Sequence, residues 1–106
     1  MQGYLLQFFF TQDQRYGHQM LADWLLNEIR SLGLSGATLA VAEQGFGGHG
    51  PLHSAHFFEL GDQPQQIYVA ASCAEGDLLL QHLMQTGVKL FYVKSAIEFG
   101  QLGVQP

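Results

Sequence analysis

The 106-residue chain carries four Lys and Arg against nine Asp and Glu, a formal charge of −5, with 47% hydrophobic residues and one cysteine. That length suits one domain over residues 1–106, the apolar content excludes a disordered chain, and a lone Cys73 excludes a disulfide framework or a cysteine-cage zinc site. Four scattered basic residues, Arg15, Arg30, Lys89 and Lys94, exclude the phosphate-neutralising patch of a nucleic-acid binder and the polybasic face that docks on anionic lipid.

Residues 3–10 (Tyr4, Leu5, Leu6, Phe8, Phe9, Phe10) read as a strand whose near-continuous apolar run predicts burial on both faces. Residues 11–17 are polar and turn-rich. A helix is predicted over 18–32, with Met20, Leu21, Trp24, Leu25, Ile29 and Leu32 on one stripe and Gly33 as its left-handed cap. Residues 37–44 read as a second strand after the turn Ser35-Gly36. A loop with four glycines follows (Gly45, Gly47, Gly48, Gly50), then an extended stretch over 55–60 and a turn at Gly61-Asp62-Gln63-Pro64. Residues 67–73 read as a buried central strand ending in Cys73. A helix is predicted over 75–85 with Leu78, Leu79, Leu83 and Met84 inward and Gly87 closing it; residues 88–93 form the last strand, and 95–106 a tail. Two βαβ halves with an excursion between them predict an α+β ferredoxin-like sandwich with both helices on one sheet face.

Several groups invite a chemical reading, each beside a plainer one. The glycine loop offers backbone amides to an anion, or simply turns the chain; it lacks the Gly-Lys-Ser/Thr ending of a Walker loop. His49, His53 and His56 lie in or beside it, and imidazoles suit zinc, copper or nickel. Their four- and three-residue spacing belongs to a helix, however, which this segment is not, so exposed histidines grouped by chance are the plainer reading. Cys73 reads as a buried apolar thiol, with no histidine nearby in sequence to activate it. His82 reads as a surface or interface residue, Glu75 and Asp77 as partners of the helix dipole, and Lys89 and Lys94 as phosphate ligands or as solvating edge lysines.

The stretch Gln44-Gly45-Phe46-Gly47, followed by Pro51-Leu52-His53-Ser54-Ala55-His56, resembles the strand-to-loop junction of the PII signal-transduction superfamily. It is closer still to the small stand-alone PII-like proteins of bacteria and archaea. Asp13-Gln14-Arg15-Tyr16, Gly33-Leu34-Ser35-Gly36-Ala37-Thr38 and the short strand after Thr86-Gly87 fit that subfamily too, over residues 3 to about 95. The resemblance implies a trimer of ferredoxin-like subunits, without enzymatic activity, binding an adenine nucleotide or another small metabolite in clefts between subunits. It also implies a mobile loop, residues 45–63 here, that touches a membrane transporter or an enzyme. Carried over by position, Gly45 and Gly47, with Phe46 between them, match the loop base that faces the nucleotide. Thr38 approximates a hydroxyl residue on the preceding strand, and Gly87 and Lys89 match the ends of the turn that holds phosphates.

The first expectation is therefore a regulatory sensor. The second is a divalent-metal-binding ferredoxin-like trimer using His49, His53 and His56. A small hydrolase of acylphosphatase type is a third, weakened because residues 12–17 (Gln12-Asp13-Gln14-Arg15-Tyr16-Gly17) do not form the required glycine-rich phosphate cradle. A surface poor in charge favours self-association. No run approaches the ~20 apolar residues of a membrane span, and the start lacks a signal peptide's basic and apolar segments, giving a cytoplasmic expectation.

Overall fold

The computed structural model describes residues 1–34, 36–41 and 63–103. Strand β1 (Gln2–Thr11) leads into two short strands, β2 (Arg15–Tyr16) and β3 (Gln19–Met20), which pair around Gly17 at φ 61°. Helix α1 (Leu21–Ser31) follows directly. The expected helix start at 18 is thus displaced: residues 18–20 close this small hairpin, and Met20 becomes the extended residue before α1. The remaining elements are β4 (Thr38–Val41), β5 (Pro64–Ser72), α2 (Cys73–Thr86) and β6 (Phe91–Glu98). The extended stretch expected over 55–60 lies outside the described residues.

The four longer strands form one sheet in the order β4-β5-β1-β6, every neighbouring pair antiparallel. With α1 and α2 against one face, this is the ferredoxin-like α+β arrangement expected from the sequence. Alternation along the strands decides what is buried. Leu6, Phe8 and Phe10 of β1 and Ile67, Val69 and Ala71 of β5 face the helices. They pack with Leu21, Trp24, Leu25 and Ile29 of α1 and Leu79 and Leu83 of α2. Each fully buried Leu or Phe contributes roughly 1.5–3 kcal/mol.

Five expectations need correction. Burial of β1 on both faces fails within one chain, because Phe9 points to the uncovered face and is 38% exposed. Cys73 is not a buried strand end; it is the exposed first residue of α2. Leu78 and Met84 do not turn inward: three successive leucines leave helical periodicity undecided, and the sheet selects Leu79. The last strand begins at Phe91, not 88, since pairing starts where Phe91 meets Phe9. It runs on to Glu98, into the tail expected from 95, and Phe99 exchanges backbone hydrogen bonds with Met1.

Candidate functional site

The end of β1 is where the elements that matter converge. Past Thr11 the chain turns sharply, with the Gln14 amide N–H donating to the Thr11 carbonyl (3.1 Å) and the Thr11 amide to the Gln14 side-chain oxygen (2.8 Å). The Gln12 amide donates to the Gln63 carbonyl at 2.8 Å, so the first described residue after the glycine loop is tied to this turn. Helix α2 ends at the same place. Gly87 closes it at φ 75°, where an added Cβ would meet open space, so glycine is needed there for backbone conformation alone. Thr86 braces the turn: its hydroxyl donates to the Leu83 carbonyl (2.6 Å) and accepts from the Val88 amide (3.3 Å). Lys89 lies exposed just beyond, ahead of β6 and not within it as expected.

Thr38, Gly87 and Lys89 are the expected ligand residues whose positions are described. Thr38 opens β4, exposed and opposite Tyr68, on one edge of the sheet. Gly87 and Lys89 lead into β6 on the other edge. Three strand spacings, about 14 Å, separate those edges. One chain therefore does not bring them together. Gly45, Phe46 and Gly47 of the loop base, and His49, His53 and His56, lie outside the described residues. Among the described residues no three His, Cys, Asp or Glu side chains are grouped as metal ligands.

Other polar contacts tie the layers together. Lys94 of β6 sits on the helix-facing side, its Nζ 3.2 Å from the Asp77 carboxylate and 4.0 Å from the centre of the Tyr4 ring. The hydrogen bond to Asp77 raises the Lys94 ammonium above the ordinary lysine range and outweighs the desolvation that opposes it; the Asp77 charge and the Tyr4 hydroxyl add lesser amounts in the same direction. Lys94 is thus a structural cation more than a free phosphate ligand. Glu75 completes a capping box with Ser72 at the start of α2. His82, expected at the surface or an interface, is half-buried: its Nε2 donates to Glu28 at 2.9 Å and joins the two helices. Spacing along the chain gave no sign of the Lys94 or His82 partners, because both pairs are made by tertiary packing.

Sequence reading also missed the uncovered face of the sheet. Leu5, Phe9, Tyr68, Phe91, Val93 and Ile97 share it by register. The Phe9 and Phe91 rings lie 5.8 Å apart there, and Phe91 is 68% exposed. None of its described positions carries a charge. No helix among the described residues is long and apolar enough to cross a membrane.

Comparison with known proteins was made on this basis. Residues 3–93 match the model of the DUF190 family, described as Uncharacterized ACR, COG1993. Among solved structures, a PII-like signalling protein of Thermus thermophilus superposes with a TM-score of 0.62 at 17% identity, covering 91% of this chain and 87% of that one. The CPII protein of Thiomonas intermedia, solved with ADP, AMP and acetate bound, gives 0.55 at 16% identity over 95% and 93%. At such identities the likeness is one of fold. The search of curated proteins found no match.

Proposed function

The chain belongs to the DUF190 family and has the PII-like fold, and from that premise we propose that it is a non-enzymatic regulatory protein, a single PII-like domain that works as a homotrimer. The observation that carries this reading is the uncovered sheet face. Apolar area of this kind, holding Phe91 at 68% exposure, calls for a partner. The partner must itself be apolar and uncharged, and the same faces of two further copies, turned toward one three-fold axis, meet that requirement without like-charge repulsion.

Assembly through this face sets sheet edges of neighbouring subunits side by side. The Gly87–Lys89 turn of one copy then lies beside the Thr38 edge of the next, forming a cleft that one chain lacks. The ligand is a small anion, an adenine nucleotide first among them, with Lys89 and turn amides on its phosphates and Gly45, Phe46 and Gly47 at the loop base beside it. The fold relative CPII was solved with ADP and AMP, which supports that choice. Ligand binding biases residues 45–63 among conformations, and a partner protein, a membrane transporter or an enzyme, reads the result.

The test is sedimentation equilibrium with calorimetry against AMP, ADP and ATP. A trimer binding a nucleotide in each cleft, with Lys89→Ala weakening it about tenfold, is the expected result. A monomer at all concentrations, or a trimer deaf to every nucleotide and other small anion, overturns it.

A further inference from the structure

We propose that residues 11–20 form a strut for the cleft, with the Tyr16 hydroxyl as the positioning group that holds the Gly87–Lys89 turn in register with Gln63, the root of the glycine loop. This rests on the reading above that the turn contacts ligand. The sequence singles out Asp13-Gln14-Arg15-Tyr16, and nothing in the sensor function yet uses it.

The last four carbonyls of a helix have no partner within the helix. One of those in α2, on Thr86, accepts from the Tyr16 hydroxyl at 2.9 Å, a partly buried contact across 70 residues of chain. Two local bonds also shape the turn, from the Gly87 amide to the Met84 carbonyl (3.3 Å) and from the Val88 amide to the Thr86 hydroxyl (3.3 Å). Tyr16 is the single described contact reaching it from outside α2 and its turn by a side-chain hydrogen bond. The Tyr16 ring is in turn fixed, stacked on Trp24 with centroids 4.0 Å apart and planes 25° from parallel. Trp24 is 6% exposed and belongs to the core. The hydroxyl is therefore aimed by packed aromatic rings, the arrangement that precise positioning needs.

The same short segment grips the other half of the site. It begins with the bond from Gln12 to Gln63, and its Gln14 carbonyl accepts from the Leu21 amide at 2.8 Å, which anchors it to the start of α1. One hydrogen-bonded piece thus carries the turn at one end and the loop root at the other. A shift of either is felt by its counterpart.

The experiment uses the full chain and the variant Tyr16→Phe, which keeps the stacking and deletes the hydroxyl. Amide hydrogen exchange by NMR is measured without ligand, alongside the thermal midpoint and calorimetry with ADP. Exchange at both Val88 and Gln12 is expected to rise about fivefold, the worth of one lost hydrogen bond, while Leu6 in mid-sheet stays unchanged. Affinity for ADP is expected to fall about fivefold, beside the drop of a few degrees in thermal midpoint that one lost hydrogen bond brings; a merely structural tyrosine would move the midpoint and leave affinity alone. Unchanged exchange at Gln12, whether or not Val88 responds, overturns the strut. Failure of the wild-type chain to bind ADP or any other nucleotide overturns the ligand reading, and the ligand-free exchange then decides the strut by itself.

Discussion

Gly3 is buried in β1 between Ser72 of β5 and Ile97 of β6. A Cβ at this position would collide with the Ala71 carbonyl and come within 2.8 Å of the Phe99 ring. Backbone cannot give way as a side-chain tip can, so Gly3→Ala forces the central strands apart. The expected loss is about 1–3 kcal/mol by chemical denaturation, as for overpacking in a core; unchanged stability would mean the strands separate freely. Lys94 gives a second residue-level test, through pH. Its pKa is raised above the ordinary 10.5, first by the hydrogen bond to Asp77. A raised lysine pKa means the folded state holds the proton more tightly than the unfolded one, so the stabilisation is complete below the ordinary value and lost as pH climbs through the raised one. Comparing wild type with Lys94→Met between pH 7 and 12 should show a constant stability gap to about pH 10 that closes above it. A gap that closes by pH 8 would remove Lys94 from that role.

Helix α2 starts where its cap says it should. The Ser72 hydroxyl accepts from the Glu75 amide at 3.2 Å, and the Glu75 carboxylate accepts from the Ser72 amide at 3.1 Å. Ser72→Ala should cost about 1 kcal/mol, and Ser72→Asp should keep most of it, both read from thermal unfolding. Equal losses in the two variants would deny the cap its part. This element also shows what the chain discloses locally. Ser72-Cys73-Ala74-Glu75 spells a capping box, a signal that marks the helix start at Cys73, two residues ahead of the start expected at 75. The stripe of α1 was similarly readable from Leu21, Trp24, Leu25 and Ile29, while the β2–β3 hairpin before it was not, since two-residue strands leave no period to detect. The limits of β6 were illegible for another reason: they are set by the length of β1, its partner from Phe91↔Phe9 to Glu98↔Gln2.

At the scale of the whole molecule, the apolar run of β1 was a true signal with a misplaced referent. Phe8 and Phe10 are covered by helices of the same chain, whereas Phe9 joins Phe91 on a face that a single chain leaves open. In the proposed trimer, neighbouring copies supply the layer that a single chain lacks over Phe9 and Phe91. The proposed site was legible in the same divided way: the family resemblance pointed to Gly87 and Lys89, but the tie of Tyr16 to Thr86 exists only after folding. Phe91→Glu tests the open face directly. It puts one carboxylate per subunit into the proposed interface, a face with no described charge, and like charges brought together there cost several kcal/mol. Because Phe91 is 68% exposed in the single chain, the subunit itself should fold as before by circular dichroism. Association should weaken at least about a hundredfold, shifting sedimentation from trimer to monomer, and nucleotide binding should vanish with it, since the proposed assembly shares each cleft between copies. Leu78→Glu, on the outer side of α2 at 48% exposure, adds the same charge away from that face and should leave the trimer intact. If both variants sediment as the wild type does, the copies meet through some other surface, and the cleft between Thr38 and Lys89 is lost as a binding site.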